Sequence, residues 1–288
     1  MKKLIIIFGI FIFCFTALFA QNNTKIKTLK LADSLYVIKI AGVNSIVLYG
    51  PDGLLLVDDN VESGAQPLYD EIRTISKDKL KYIINTHWHF DHTEGNIVLG
   101  KGVTIIAHED VKKFLPRDEM LLGEVHKAYP EYALPSVTFR DKYSLSLNGE
   151  SVEILALSGG HSAGDAIVYF KNANVLHIGD IVFADMFSFV DTEHGGNIVK
   201  LSENIQKIID MYPSDVRIIP GHGRILTIND LKGYREMILG TTEIIRKEML
   251  QNKSLEEIKS AKPLQAYNDW QVAFSCDVWI EIIYKSLK

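Results

Sequence analysis

The chain has 288 residues, of which 47% are hydrophobic and 23% are charged, a balance typical of a globular protein rather than of a disordered or fibrous one. Its formal net charge is −5, so it lacks the basic surface that nucleic-acid binding requires, and we expect no nucleic-acid partner. A chain of this length can bury a sizeable core without disulfides, and only Cys14 and Cys276 are cysteines.

Residues 1–20 have the pattern of a secretory signal peptide. Lys2 and Lys3 give a basic start, residues 4–19 are almost wholly apolar, and Ala20 precedes a polar run. We predict cleavage after Ala20, which takes the net charge from −5 to −7 by removing two lysines. The mature protein would then be periplasmic or secreted, with no membrane association. An uncleaved anchor is the alternative, but the apolar run is short for spanning a bilayer.

The mature sequence predicts two stretches of strands, each followed by helices. Strand patterns cover residues 35–40, 45–49, 54–58, 81–86 and 103–106, begin again at Val137 and Tyr143, and continue over 152–157, 166–170, 175–179 and 216–219. Helix patterns cover residues 65–76, 108–115 and 201–211, and extend from about 229 to the C-terminus. Residues 116–136 contain three prolines and predict a flap or a helical insert. This order indicates two packed sheets with helices outside.

The densest group of chemically active side chains directly follows the predicted strand 81–86. It is the run Thr86-His87-Trp88-His89-Phe90-Asp91-His92. Neutral imidazoles and carboxylates are good zinc donors. In a loop, His87 and His89 can point one way while Asp91 and His92 reach a second ion, whereas a helix places neighbours on one face only every three or four residues. The run therefore predicts a metal site.

Three later candidates also lie just beyond predicted strands, and each follows a glycine. They are His161, Asp180 and His222. Loops at strand ends collect functional groups, and glycine lets the backbone approach a crowded site. We expect two further carboxylates to have structural roles. Asp165 is expected to brace the loop of His161, and Asp58 is expected to serve a turn, with bracing of the metal site as its alternative.

Taken in order, His87-x-His89-x-Asp91-His92, Gly160-His161, Gly179-Asp180 and Gly221-His222 resemble the metallo-β-lactamase superfamily, from about residue 30 to 225. The resemblance implies an α/β fold, a four-layer αββα sandwich of two mixed β-sheets flanked by helices. It also implies two Zn²⁺ ions per chain and assigns their ligands as follows: His87, His89 and His161 to the first ion, Asp91, His92 and His222 to the second, and Asp180 as the bridge.

Two of these positions discriminate between branches of the superfamily. The largest class of true metallo-β-lactamases carries cysteine where this chain has Asp180, whereas thioesterases and lactonases carry aspartate. The diiron flavoprotein branch carries glutamate where this chain has His89. The resemblance therefore implies a zinc-dependent hydrolase in residues 21–288. A hydroxide bridging the two ions would attack the carbonyl of a small-molecule ester, lactone, thioester or amide.

Two residues are candidates for catalytic roles beyond holding metal. Asp91 could orient the nucleophile through its free oxygen. Asn197 follows two glycines, precedes the predicted helix 201–211, and resembles an oxyanion-contacting asparagine of lactamases. Helix capping is an equally good interpretation of Asn197, and the sequence leaves the two open. His194, in the same stretch, is expected to be an exposed loop residue.

The sequence leaves three alternative functions open. The protein could be a true periplasmic β-lactamase, which export favours. It could use the same site as an iron-dependent oxygenase or a phosphodiesterase. It could also bind zinc only structurally, although structural zinc sites are usually closed and rich in cysteine. The sequence leaves the substrate and the oligomeric state open.

Overall fold

The computed structural model describes residues 25–288, so the predicted signal peptide at residues 1–20 lies outside the described residues. The chain divides into two compact units, one that ends at Thr138 and one that begins at Phe139. No helix within the described residues is apolar enough over a sufficient length to cross a membrane.

The first unit is built on a mixed sheet. The strands of this sheet are β1 Lys27–Ala32, β2 Leu35–Ile40, β3 Val43–Leu48, β4 Leu54–Val57, β5 Leu80–Ile84, β6 Thr104–His108 and β9 Val137–Phe139. Between β6 and β9, the strands β7 Glu119–Leu121 and β8 Glu124–His126 form a separate hairpin. The sheet order is β1-β2-β3-β4-β5-β6-β9. Neighbours from β1 to β4 are antiparallel, whereas β4, β5 and β6 run parallel. β1 was not predicted, because its exposed residues carry no apolar alternation.

Apolar strand sequences set the core of this unit. Every residue of β3 and β4 is buried, as expected for central strands covered on both faces. The helices are α1 Glu62–Ile75, α2 Phe90–Thr93, α3 Gly95–Leu99 and α4 Val111–Phe114. Leu68 and Ile72 lie one helical turn apart on α1 and pack against Leu54 and Leu56 of the sheet. Each fully buried aliphatic side chain of this kind contributes about 1.5–3 kcal/mol.

The segment 116–136 forms a hairpin rather than the helical insert that was one expectation. Strands β7 and β8 pair antiparallel, with Leu121 opposite Glu124. The two residues between them, Leu122 and Gly123, have φ values of 53° and 85°. A two-residue hairpin turn of this kind needs positive φ at both positions. Leucine rarely adopts positive φ, and this concealed the turn in the sequence.

The second unit contains a smaller mixed sheet with strands in sequential order. These are β10 Lys142–Leu147, β11 Glu150–Ala156, β12 Ala166–Phe170, β13 Val175–His177 and β14 Arg217–Ile219. Only the last pair, β13 and β14, is parallel among the pairs of this sheet. The helices are α5 Ile198–Met211, α6 Ile228–Leu250, α7 Leu255–Ala261 and α8 Cys276–Leu287, with 3-10 turns at Gly179–Ile181 and Gln265–Trp270.

The C-terminal part is helical from Ile228 onward, as predicted. Thr227 and Ser254 each begin a helix with a capping box, in which the hydroxyl accepts from the backbone N–H three residues later. In turn, the Asp230 carboxylate accepts from the Thr227 N–H, and the Glu257 carboxylate accepts from the Ser254 N–H. These pairs fix where α6 and α7 begin.

Candidate metal centre

In the first unit, the metal-binding run lies where two parallel strands end. β4 and β5 are parallel neighbours, so their carboxyl ends meet at one edge of the sheet. Asp58 directly follows β4, and the loop that begins at Asn85 directly follows β5. The Asn85 side-chain amide donates to the His92 carbonyl oxygen at 2.9 Å, which folds the loop back on its own base.

The four candidate ligands of this loop are buried and close together: His87, His89, Asp91 and His92. The His87 ring centroid lies 4.7 Å from that of His89 and 4.4 Å from that of His92. The Nε2 atom of His92 lies 3.4 Å from Oδ2 of Asp91. His89 has extended backbone angles and precedes α2, so the chain turns sharply between the two pairs of ligands.

Asp58 braces this loop rather than serving only a turn. Its Oδ1 accepts from the Thr86 N–H at 2.8 Å, and its Oδ2 accepts from the Thr86 hydroxyl at 2.8 Å. The same Oδ2 lies 2.9 Å from Nδ1 of His92. A carboxylate can only accept, so Nδ1 carries the proton and Nε2 keeps its lone pair for a metal. These bonds support the bracing alternative for Asp58, while its positive φ of 56° directly after β4 leaves the expected turn role in place.

Next to Asp58, Asp59 is fully buried. Burial, with the adjacent charge of Asp58, holds the pKa of Asp59 well above its usual range. A Cβ on Gly95 would lie only 2.1 Å from the Asp59 carbonyl oxygen. The position after the metal loop therefore requires glycine, because any side chain there would displace the Asp58–Asp59 corner.

In the second unit, the remaining candidate ligands also collect at one sheet edge. β13 and β14 are parallel, and Asp180 and His222 lie just past their carboxyl ends. β12 runs antiparallel to β13, so the β11–β12 loop that carries His161 reaches the same edge. The Oδ2 atom of Asp180 lies 3.3 Å from Nε2 of His222 and 3.7 Å from Nε2 of His161. All three side chains are buried.

The loop of His161 is held by Asp165, as predicted. The Asp165 carboxylate accepts from the backbone N–H groups of Gly160, His161 and Ser162 at 2.8–3.2 Å, and from the Ser162 hydroxyl at 2.7 Å. Burial raises the pKa of Asp165, and its bonds to His161 and Ser162 oppose that rise. The Nδ1 atom of His161 lies 2.7 Å from the Phe189 carbonyl oxygen. Nδ1 therefore donates there, which leaves Nε2 toward Asp180.

The potential ligand atoms form two groups, each able to hold a metal ion. The first group is His87, His89, His161 and Asp180, and the second is Asp91, His92, Asp180 and His222. Within each group the ligand atoms all lie within 4.8 Å of one another, and every residue is buried. Imidazole and carboxylate donors suit zinc. Two carboxylates in the second group disfavour each other's charged form unless a cation compensates them, so the donor set fits a bound metal.

The structure engages Asn197 in helix capping. Its Oδ1 accepts from the N–H groups of Val199 and Lys200 at 2.9 and 3.2 Å, which caps α5. Its Nδ2 donates to the Ser286 carbonyl oxygen at 3.0 Å. An oxyanion contact would compete with this last bond, so the capping interpretation is favoured and the catalytic one stays a prediction.

Sequence reasoning missed a partly buried pair in the loop after Asp180. Nδ1 of His194 lies 2.9 Å from both carboxylate oxygens of Asp191. The side chain of His194 is only 16% exposed, so its expected place as an exposed loop residue was wrong. The Asp191 N–H also donates to the His161 carbonyl oxygen. The three-residue spacing of Asp191 and His194 within a glycine-rich loop was the available signal.

Comparison with known proteins identifies the family. The sequence profile described as the Metallo-beta-lactamase superfamily matches residues 39–239, more than half of the chain. A metallo-beta-lactamase type 2 of Bacteroides fragilis is 21% identical over 243 residues, which cover 80% of this chain and 90% of that protein. A probable metallo-hydrolase of Methanocaldococcus jannaschii is 26% identical over 191 residues, which cover 63% of this chain and 88% of the relative.

Solved structures give the same fold. The metallo-beta-lactamase from Pontibacter korlensis superposes with a TM-score of 0.62 at 20% sequence identity, covering 75% of this chain and 99% of that one. The predicted α/β class, with mixed sheets flanked by helices, is thereby confirmed. The chain belongs to the metallo-beta-lactamase superfamily, and it carries His/Asp clusters that suit the metal ions of a metallo-hydrolase.

Proposed function

We propose that the protein is a zinc-dependent hydrolase that cleaves a small carbonyl substrate. The observation that carries the proposal is the pair of buried donor groups, four side chains each, that share Asp180. Neither group contains cysteine, which separates them from the closed, cysteine-rich sites of structural zinc. Because each of the two groups offers enough ligands for its own ion, the groups also favour two metal ions over the single iron of an oxygenase.

In this proposal His87, His89 and His161 hold one zinc ion, Asp91, His92 and His222 hold the other, and Asp180 contributes to both. Bound zinc supplies Lewis acidity and makes water acidic enough to act as a nucleophile near neutral pH. The catalytic candidate among the side chains is Asp91, whose second oxygen accepts a proton from the attacking water and orients it toward the carbonyl carbon.

Groups around the ligands hold them in the required tautomer and position. The Asp58 carboxylate keeps the proton of His92 on Nδ1, and the Phe189 carbonyl does the same for His161. Asp165 fixes the backbone of the His161 loop. This support reduces the reorganisation that the site undergoes during the reaction.

Asp180 favours ester, lactone or thioester substrates over β-lactams, because the largest lactamase class has cysteine there. β-Lactam cleavage is the second candidate, and it rests on the Bacteroides fragilis relative named a metallo-beta-lactamase. Export through the signal peptide at residues 1–20 forms part of this proposal, since it would place the enzyme in the periplasm or outside the cell, where β-lactams act.

The test is metal analysis combined with a substrate panel. The protein beginning at Gln21 is purified, its metal content is measured, and hydrolysis of a chromogenic cephalosporin, a lactone, a thioester and a phosphodiester is assayed with and without chelator. The variant Asp180→Ala is compared with Asp185→Ala, a nearby carboxylate that is exposed and paired with Arg224.

We expect about two zinc ions per chain and chelator-sensitive cleavage of carbonyl substrates. Asp180→Ala should lose the zinc and the activity, whereas Asp185→Ala should keep them. Turnover of the cephalosporin would make the protein a β-lactamase. One iron per chain, turnover of the phosphodiester alone, or full activity in Asp180→Ala would contradict the proposal.

A further inference from the structure

The C-terminal segment places an aromatic side chain against two rings that border the proposed metal ligands. Phe274 lies between the 3-10 turn Gln265–Trp270 and α8, beyond residue 239, where the family match ends. Its ring is buried and stacks on Phe189, with centroids 5.8 Å apart and planes inclined by 26°. It also lies 6.3 Å from the ring of Phe183. We call Phe183, Phe189 and Phe274 the aromatic wall.

The aromatic wall contacts two of the proposed ligands directly. The ring centroids of Phe183 and Phe189 each lie 6.2 Å from that of His161. Phe183 also lies 4.6 Å from the ring of His222. Phe183 is 4% exposed, whereas Phe189 is only half-buried. Phe189 is therefore the least buried of the three rings of the wall.

Two contacts of Phe187 tie the C-terminal segment to the loop that carries Phe183 and Phe189. The Phe187 N–H donates to the Trp270 carbonyl oxygen at 3.0 Å, and the Phe187 ring stacks on Trp279 with centroids 4.9 Å apart. The Trp279 indole N–H donates to the Thr241 hydroxyl at 3.0 Å. The helices after residue 239 thus hold Phe274 at a fixed place behind Phe189.

We propose that Phe189 binds an apolar acyl group of the substrate, next to the carbonyl that is cleaved, and that Phe274 positions the Phe189 ring for this contact. The inference rests on the proposed hydrolase function for the location of the scissile carbonyl. The three rings of the wall are uncharged, and aromatic rings stack on flat apolar groups. The occupant is therefore an aryl or alkyl acyl chain rather than a charged one. The C-terminal segment, through Phe274, sets this preference.

The test compares the binding of two carboxylates, phenylacetate and acetate, to the zinc-loaded protein by calorimetry. Each carries the product carboxylate, and only phenylacetate carries an aryl group. We expect at least a tenfold preference for phenylacetate in the natural protein, in the range of hydrophobic discrimination in a pocket. The preference falls below threefold in Phe189→Ala and Phe274→Ala and is restored in part by Phe274→Leu.

Val272→Ala is the matched control, because Val272 lies in the same segment and is 55% exposed. It should keep the preference, and all variants should keep their zinc content and melting temperature within a few degrees. With phenylacetyl and acetyl thioesters, Phe274→Ala should raise KM for the phenylacetyl substrate while kcat stays within twofold, the pattern of lost ground-state binding.

No preference in the natural protein, an unchanged preference in Phe189→Ala, or an equal loss in Val272→Ala would overturn the inference. The binding comparison does not depend on turnover. A protein that prefers phenylacetate but hydrolyses none of the panel would refute the proposed function and leave the aromatic wall standing. A protein that hydrolyses carbonyl substrates without any preference for phenylacetate would support the proposed function and refute the role of the aromatic wall.

Discussion

Replacing Asp165 with alanine should loosen the loop that carries His161. In the natural protein the buried carboxylate accepts from three backbone N–H groups and one hydroxyl. Alanine would leave these donors without their acceptor, and each buried unsatisfied donor costs about 1–3 kcal/mol. The Ser162 hydroxyl can turn to another acceptor and the costs are not additive, so we expect a total loss of about 3–5 kcal/mol, below the sum for four unsatisfied donors.

The assay is urea unfolding of the metal-free protein, with Asp215→Ala as the control. Asp215 is an exposed carboxylate in the same unit, and its replacement should change the unfolding free energy by no more than about 0.5 kcal/mol. A second readout is the zinc affinity of the refolded variant, which should fall about 10–100-fold because His161 is no longer held. A loss below 1 kcal/mol with unchanged zinc affinity would refute the bracing role of Asp165.

Three further predictions concern other supporting residues. Asp58→Asn should weaken zinc binding about 10–100-fold in a chelator competition, because asparagine keeps only one acceptor oxygen for the donors of Thr86 and His92 and no longer fixes the His92 tautomer, and an unchanged affinity would argue against this. Asn197→Ala should lower the unfolding free energy by about 1 kcal/mol through the lost cap and leave kcat unchanged; a large drop in kcat at full stability would restore its catalytic interpretation. The Arg224 guanidinium, with the Thr227 cap, lowers the pKa of Asp230 to about 2. The stability that Asp230 contributes should therefore be present above about pH 4, the pKa of an unfolded aspartate, and be lost as the pH falls toward 2. Because the partner Arg224 is exposed, solvent screens the ion pair, and the difference between the natural protein and Asp230→Asn should stay below about 1 kcal/mol. This difference should shrink from pH 5 to pH 2.5 in urea titrations; a constant difference would contradict the pKa shift.

The position of the candidate ligands beyond strand ends could be predicted because the pattern that shows it is local. Each follows an apolar strand, and parallel strands bring their carboxyl ends to one edge of a sheet. His87 and His92 follow β5, while Asp180 and His222 follow the parallel pair β13 and β14. Strand patterns and metal donors are visible as short patterns, so the alternation of strands and helices and the candidate ligands followed from them. The assignment of those ligands to two ions came from the resemblance to the metallo-β-lactamase superfamily.

The supporting contacts could not be predicted because they join residues far apart in the chain. Asp58 braces His92 only after β4 and β5 have paired. Phe274 reaches Phe189 only after the C-terminal helices have packed. Nothing in the local sequence around Asp58 or Phe274 distinguishes such a contact from an ordinary turn or core residue. The hairpin at Leu122 was hidden by its unusual backbone conformation.

The most direct test of the account is anomalous diffraction at the zinc absorption edge, from crystals of the protein grown with zinc. We predict two zinc peaks per chain at about 2.0–2.2 Å from their nitrogen and oxygen ligands. One should be bound by His87, His89 and His161, and the other by Asp91, His92 and His222, with Asp180 close to both. A single peak, or zinc bound elsewhere while both groups stay empty at saturating zinc, would contradict the two-metal centre on which the proposed function depends.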